Sequence, residues 1–303
     1  MNKKQRTLIL TQTDPENDFM FHTWVENGYL ADILFKPQPK IVRALRRIWI
    51  RHRLPARGIW YGRWKKQLSK YDTLIIHASS LTKDLPEWIH QKNPEIRIIY
   101  WYWNKVDRHT VPVKKNGEKN VEYWSFDEGD CQKYQMKKNI QYYSVPLSGM
   151  EAEQNIENDI YFIGHDVGRK KQILEVRRQA EKQGLVCDFH IISDKKLVVP
   201  YREVQRQLAK SRAILEINRS GQSGFTLRTM ESLFFEKKLV ADNIALLDAP
   251  FYRKSNIFII GYDSMDDLKK FMEVPYDESV RIYKEQYSLD RWFHNFFNVE
   301  SDK

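Results

Sequence analysis

The sequence predicts an α/β protein of two halves, each a parallel β-sheet covered by helices on both faces. Three observations predict it. Short apolar, β-compatible runs alternate with helical segments, as buried parallel sheets require. A polar, aperiodic stretch over 146–158 interrupts that alternation once, after which it restarts. The length, 303 residues, is too great for one ordinary core and comfortable for two. The expected halves are residues 1–148 and 156–303.

In the first half, residues 7–11 are apolar and open the sheet. Asp14, Glu16 and Asp18 follow at the carboxyl end of that strand, where open α/β sheets place ligands. Residues 19–26 read as a helix ended by Asn27-Gly28, and 31–35 as a second strand. An amphipathic helix over 40–53 follows Pro37 and Pro39. Strands at 71–77, 96–103 and 121–125 alternate with helices at 81–91 and 127–136, and 140–145 reads as the last strand. The acids that open the 127–136 helix suit the positive end of its dipole.

The second half repeats the pattern. Residues 159–163 form a strand, and the loop 164–170 opens a helix that runs to about 182. A strand at 185–192 and a helix at 201–211 follow. Strand 213–217 then carries one charged interruption, Glu216, and leads into a polar loop at 220–224 with two glycines. The next helix starts at Phe225 or Thr226 and carries Leu227, Met230, Leu233 and Phe234 at helical spacing, with Lys237 and Lys238 at its end. Strands at 239–241 and 257–261 and helices at 266–272 and 278–297 complete the chain.

Composition narrows the function classes. Cys131 and Cys187 lie far apart with no zinc-type spacing, so both are expected to be reduced, buried thiols of a cytosolic protein. The start of the chain reads as a strand, not a signal peptide, and no run approaches a membrane span. The net charge of +10 is localised: the interval 36–70 contains no Asp or Glu and is dense in Lys and Arg. Within its helix Ile41, Leu45, Ile48 and Trp49 share one face, and Arg43, Arg46, Arg47, Arg51 and Arg53 crowd the others. Trp60, Tyr61 and Trp64 then alternate with Arg63, Lys65 and Lys66. Apolar and interfacial aromatic residues beside a cationic face suit a helix lying on an anionic bilayer. The expected membrane-binding residues are Arg43, Arg46, Arg47, Trp49, Arg51, Trp60 and Trp64. The competing reading is a core-facing helix with a solvated basic back. Nucleic-acid binding has no helix-turn-helix, RNP or zinc-finger pattern to support it.

The loop and helix after Glu216 favour an anion, because glycines admit close backbone approach and the first helical turn presents unpaired N–H groups. Arg219 and Arg228 flank the turn. Glu231 lies one turn beyond Arg228, where a carboxylate accepts both hydroxyls of a ribose. An Arg228–Glu231 surface pair at i,i+3 is the alternative.

The stretch Gln222-Ser223-Gly224-Phe225-Thr226-Leu227-Arg228-Thr229-Met230-Glu231 resembles the donor-site region of bacterial GT-B glycosyltransferases that build cell-surface polysaccharide. Within that class it is most similar to the lipopolysaccharide core biosynthesis (rhamnosyltransferase-like) family. Tyr161 to Gly164 with Gly168-Arg169, Asp242-Asn243, Phe251-Tyr252, and Tyr123 to Asp127 with Asp130 and Tyr134 carry the same resemblance, which covers the chain from about Val121 onward. It implies the GT-B fold, two Rossmann-like domains with parallel sheets facing a cleft, the last helix crossing back to the first domain. It implies a glycosyltransferase that moves a hexose or deoxyhexose from a nucleotide sugar to a lipid-linked, lipopolysaccharide or capsule glycan on the cytoplasmic face of the plasma membrane.

On this resemblance the donor site comprises Gly164, Arg169, Asn218, Gln222, Gly224, Phe225, Thr226, Arg228 and Glu231. The backbone at Gly224, Phe225 and Thr226 faces phosphate, Arg169 and Arg228 are its cations, Glu231 accepts from ribose, and Asn218 and Gln222 touch sugar or base. A solvated Arg169 at its helix start is the bland alternative. No Asp-x-Asp motif is present, so neither metal nor cofactor is expected, and fixed cations would stabilise the departing diphosphate. An inverting enzyme needs a base for the acceptor hydroxyl, and Asp14 and Asp18 are the candidates, with His22 behind them. A solvated, helix-capping acid loop is the competing reading. Two rival functions are a nucleotide-sugar epimerase of the same fold and a non-catalytic polyanion-binding protein.

Overall fold

The computed structural model describes residues 3–12, 19–106, 110, 119–144, 155–194, 199–219 and 224–298. The chain divides into two compact units, Met1–Ile140 and Gln141–Lys303.

The first unit contains strands β1 (Thr7–Thr11), β2 (Leu30–Ile33), β3 (Thr73–His77), β4 (Arg97–Tyr102), β5 (Val121–Ser125) and β6 (Lys137–Lys138). Its helices are α1 (Phe19–Glu26), α2 (Lys40–Arg51), α3 (Leu85–His90) and α4 (Glu128–Tyr134). All pairings are parallel, in the order β2-β1-β3-β4-β5-β6. Strands β1, β3 and β4 are buried on both faces, which is why they read as continuous apolar or aromatic runs. In the aromatic strand β4 the buried Tyr100 hydroxyl bonds Thr82 Oγ1. Asp127 caps α4 by accepting from the Asp130 amide at 3.0 Å, and Asp130 accepts from the Val106 amide at 2.6 Å. The strand expected over 140–145 does not form in its described part. The last strand is the two-residue β6, whose pairing ends with the Asn139 amide on Ser125 O; Tyr143 bridges to Ser288 instead.

The second unit contains β7 (Asn158–His165), β8 (Cys187–Ile192), β9 (Ser211–Glu216), β10 (Lys238–Ala241) and β11 (Ile257–Ile259). Its helices are α5 (Lys170–Lys182), α6 (Tyr201–Ala209), α7 (Leu227–Phe235), α8 (Leu268–Glu273) and α9 (Leu289–Asn295). The sheet is again wholly parallel, in the order β11-β10-β9-β7-β8. Each unit's first five strands therefore share one doubly wound order, which reverses direction between its first and third strands; in the second unit that point lies between β7 and β9. Phe162, Ala213, Leu215 and Ile217 pack on one face with Ile173, Val176 and Ala180 of α5 and Leu268 and Met272 of α8. Side-chain alternation sends Tyr161, Ile163, His165, Ile214 and Glu216 to the opposite face.

Two local expectations change. Lys238 does not end α7; Glu236 in the left-handed conformation does, and Lys238 lies inside β10 with its amine on Ser255 O and Phe271 O. Lys237 instead donates at 2.9 Å to Ala209 O, at the carboxyl end of α6. The long helix expected over 278–297 is two 3-10 segments followed by α9, which begins where Ser288 caps it through the Arg291 amide. Trp292 of α9 packs against Tyr142, ring centroids 4.4 Å apart. Both cysteines are free, Cys131 buried and Cys187 half-buried. Among the described residues, no helix is long and apolar enough to cross a membrane.

Candidate functional site

The β7–α5 and β9–α7 connections meet at the reversal point of the second sheet. The first unpaired turns of α5 and α7 point there, as do the carboxyl ends of β7 and β9. Thr226 caps α7, accepting from the Arg228 amide at 3.0 Å, while Thr229 Oγ1 accepts from the Thr226 amide at 3.3 Å. This reciprocal cap fixes the helix start and hence the root of Arg228.

Arg228 reaches back to donate to Ile163 O, and Arg169 donates to Ile217 O and, at 3.3 and 3.4 Å, to His165 O. The two guanidinium carbons lie 5.2 and 5.4 Å from the centroid of one ring, Phe162. The pair needs Gly164 beside it, because a Cβ there would stand 2.7 Å from Arg228 Nη2 and 3.0 Å from Arg169 Nη2. Among the described residues neither arginine forms an ion pair with a carboxylate. Burial, together with repulsion from Arg228 and Arg219, lowers Arg169 to about 10. Two half-buried like charges held together by backbone carbonyls leave a concentrated positive potential for an anion.

Beside this pair, between α6, α7 and the β7–β9 face, lies a cavity of about 290 Å³. Its walls are largely apolar, including Ile163, Ile192, Val204 and Leu227, and its polar groups are Arg228, His165, Tyr161, Tyr201 and Glu231. Glu231 is 4% exposed. Its Oε1 accepts from the Tyr201 hydroxyl at 2.6 Å. Burial raises the Glu231 carboxyl to about 7 against the downward pull of Tyr201 and Arg228. The alternative of an Arg228–Glu231 surface pair is thereby overturned: the acid points into the protein and bonds a tyrosine.

Behind the cap lies a second buried acid, Glu216, whose Oε2 accepts from Thr226 Oγ1 at 2.6 Å and Thr229 Oγ1 at 2.7 Å. Burial raises its pKa. Among the described residues, three polar atoms at the carboxyl ends of β7 and β9 are buried without hydrogen-bond partners: Glu216 Oε1, Asn218 Nδ2 and His165 Nδ1. Together they offer an acceptor, a donor and a group able to be either.

Of the residues singled out by sequence, Gly164, Arg228 and Glu231 line the cavity, and Arg169 lies with Arg228 beside Gly164. Thr226 serves as the cap, Gly224 O accepts a long 3.5 Å bond from Asn243, and the Phe225 ring packs edge-on against Phe251 and Tyr287. Asn218 is tied by its amide to Asp242, 2.8 Å away. Gln222, Asp14 and Asp18 lie outside the described residues, and His22 is exposed on α1. Arg169 is not a solvated helix start, since three carbonyl contacts and Phe162 hold it inward. Sequence reasoning gave Phe162 no role of its own and missed Tyr143, Tyr201 and Gln205. The charged interruption at Glu216 was the one visible signal for that acid.

The basic interval of the first unit is rearranged relative to expectation. Helix α2 turns Ile41, Leu45 and Ile48 to solvent, at 85%, 50% and 56% exposure, among exposed Lys40, Arg43, Arg47 and Arg51. Two of the expected surface residues are buried instead. Arg46 stacks 4.1 Å above the Phe35 ring, and Trp64, 1% exposed, donates to Leu34 O at 3.0 Å. Trp49 and Trp60 are half-buried and pack on each other, 5.9 Å apart. Arg53 and Arg57 pair with buried Asp84 at 3.1 and 3.2 Å.

No family model matches the chain, and no curated protein matches it. Solved structures do. AviGT4, a glycosyltransferase involved in avilamycin A biosynthesis, superposes with TM-score 0.56 at 12% identity, over 96% of this chain and 95% of that one. Sucrose-phosphate synthase from Thermosynechococcus elongatus superposes with TM-score 0.52 at 9% identity, over 97% and 98%. The two wholly parallel units and these likenesses over nearly full length define the fold as α/β of the GT-B type.

Proposed function

We propose that this protein is a glycosyltransferase that binds a nucleotide sugar in its second unit. The observation that carries the reading is the arginine pair over Gly164, without carboxylate partners among the described residues, beside an apolar-walled cavity lined by Glu231. A nucleoside diphosphate has matching parts: a flat base for the apolar walls, a ribose diol for Glu231 and two phosphates for Arg169 and Arg228. The same cations and the capped α7 terminus would stabilise the departing diphosphate. The unpartnered atoms of Glu216, Asn218 and His165 suit a hydroxyl-bearing group, such as the sugar being moved. The fold's solved likenesses include a glycosyltransferase involved in avilamycin A biosynthesis, which agrees with sugar transfer.

The finer reading is transfer to a lipid-linked, lipopolysaccharide or capsule glycan by an enzyme lying on the inner face of the plasma membrane. The exposed Ile41, Leu45 and Ile48 stripe within an arginine-rich helix supports it, since apolar insertion and cationic attraction combine at an anionic bilayer. In this reading the first unit receives the acceptor, and the acid loop with Asp14 and Asp18 supplies the base.

The test is a thermal-shift panel of nucleoside diphosphates and nucleotide sugars on wild type and Arg169→Ala. Stabilisation by one diphosphate, lost in the variant, is the expected result. A flat panel on folded protein removes the donor site, and turnover of free nucleotide sugar without acceptor would indicate an epimerase.

A further inference from the structure

Three residues outside the cavity wall's obvious chemistry converge on Glu231. The Tyr201 hydroxyl lies 2.6 Å from Glu231 Oε1 and 2.9 Å from the Tyr143 hydroxyl, which lies 3.1 Å from Gln205 Nε2. A phenol carries one proton. Above about pH 7 the Glu231 carboxylate is ionised and only accepts, so the Tyr201 proton goes to Glu231 and the Tyr143 proton to Tyr201. The Gln205 amide then donates to the Tyr143 oxygen. Every step points the same way, from α6 to the carboxylate.

We propose that Gln205, Tyr143 and Tyr201 form a one-way hydrogen-bond relay that holds Glu231 as an oriented, acceptor-only carboxylate. The relay thereby sets a preference for nucleotides with an intact ribose 2′,3′-diol over their 2′-deoxy forms. This rests on the nucleotide-sugar reading above. The relay commits Oε1 and so fixes the carboxylate's rotation. Oε2 has no hydrogen-bond partner among the described residues, and Glu231 lines the cavity, so its remaining lone pairs are there to accept from a ligand. Tyr143 is itself held: its amide donates to Tyr287 O at 3.0 Å, and its ring packs against Phe234 and Phe235 of α7 at 5.2 and 5.9 Å. The relay therefore ties α6 and α7 to one carboxylate through the chain segment that opens the second unit. These three are positioning residues. Only Tyr201 borders the cavity, and Tyr143 and Gln205 act through it.

Isothermal titration of UDP, GDP and ADP, each against its 2′-deoxy counterpart, tests the proposal on wild type, Tyr143→Phe, Tyr201→Phe and Gln205→Leu. In wild type, a diphosphate that binds should bind about tenfold or more tighter than its 2′-deoxy form, as loss of a hydrogen bond to a charged group predicts. Tyr201→Phe should bring that ratio close to one, and Tyr143→Phe and Gln205→Leu should lower it in part, with phosphate binding by Arg169 and Arg228 retained. A merely structural role would weaken both nucleotides equally and leave the ratio unchanged. Folded variants with the wild-type ratio, or a wild-type ratio of one, would overturn the relay while leaving the donor site standing. Failure of wild type to bind any diphosphate would overturn both. Should Tyr201→Phe fail to fold, Gln205→Leu, at the far end, carries the same ratio test.

Discussion

Replacing Glu231 by Gln should stabilise the protein while weakening its ligand site. The carboxyl is buried and titrates at about 7, against an ordinary 4.5. Burial is the main cause; the nearby acid Glu216 adds to it, and Tyr201 and Arg228 oppose it. A raised acid pKa means that folding favours the protonated form. The cost is therefore absent below 4.5, grows as pH rises from 4.5 to about 7, and is constant above that. The interval of about 2.5 pH units, at about 1.4 kcal/mol each, amounts to about 3.5 kcal/mol. Glutamine keeps an acceptor for Tyr201 and removes the charge. For a unit of this size about 1 kcal/mol moves the melting temperature by about 2–4 °C, so the variant should melt roughly 7–14 °C higher at pH 8 and level with wild type near pH 4.5. Calorimetric melting of both proteins from pH 4.5 to 8.5 measures this directly, with diphosphate affinity measured in parallel. A gap that is the same at every pH, or a variant less stable at pH 8, would refute the burial argument. Gain in stability with loss of affinity is the expected signature of a charge kept in place for binding.

Other predictions follow from the same geometry. Arg228→Met should weaken diphosphate binding by about 10- to 100-fold, the range for hydrogen bonds to a charged group, as read by titration calorimetry. Gly164→Ala should leave the melting temperature nearly unchanged yet weaken the diphosphate by about tenfold, because its Cβ, 2.7 Å from Arg228 Nη2, displaces that guanidinium and costs a charged hydrogen bond. Leu45→Glu with Ile48→Glu should change stability by less than about 0.5 kcal/mol per site, both being exposed, and should abolish flotation with vesicles containing anionic lipid. Arg46→Ala should do the reverse, losing about 1 kcal/mol with the Phe35 contact while flotation persists.

Much of the fold was legible because its strands are buried on both faces. A run such as Thr7–Thr11 or Thr73–His77 can then be read as a strand without knowing its partners. Helices that begin with a cap, such as α4 at Asp127 and α7 at Thr226, were legible to within two residues. Short apolar runs without such punctuation misled. The residues after Asn139 have strand composition, yet they are drawn to Tyr287 and Ser288 rather than to the sheet edge. The amphipathic pattern of α2 was also visible, but which face turns inward was not. Arg46 is buried because the Phe35 ring lies beneath it, a contact that no periodicity encodes.

For the candidate site, the sequence by itself determined the chemistry available: a glycine at the end of one strand, arginines at the starts of two helices, and an acid one turn along α7. These features are local, set by residue type and helical spacing. Only the tertiary structure decided what they do together. The parallel order β9-β7 places the carboxyl ends of two distant strands side by side, and this puts Arg169 and Arg228 over one phenylalanine ring. It also gives Glu231 the Tyr201 hydroxyl, 30 residues distant in sequence, with Tyr143 behind. A hydrogen bond depends on angle and on a few tenths of an ångström, and such proximity arises from packing, which a linear pattern does not carry.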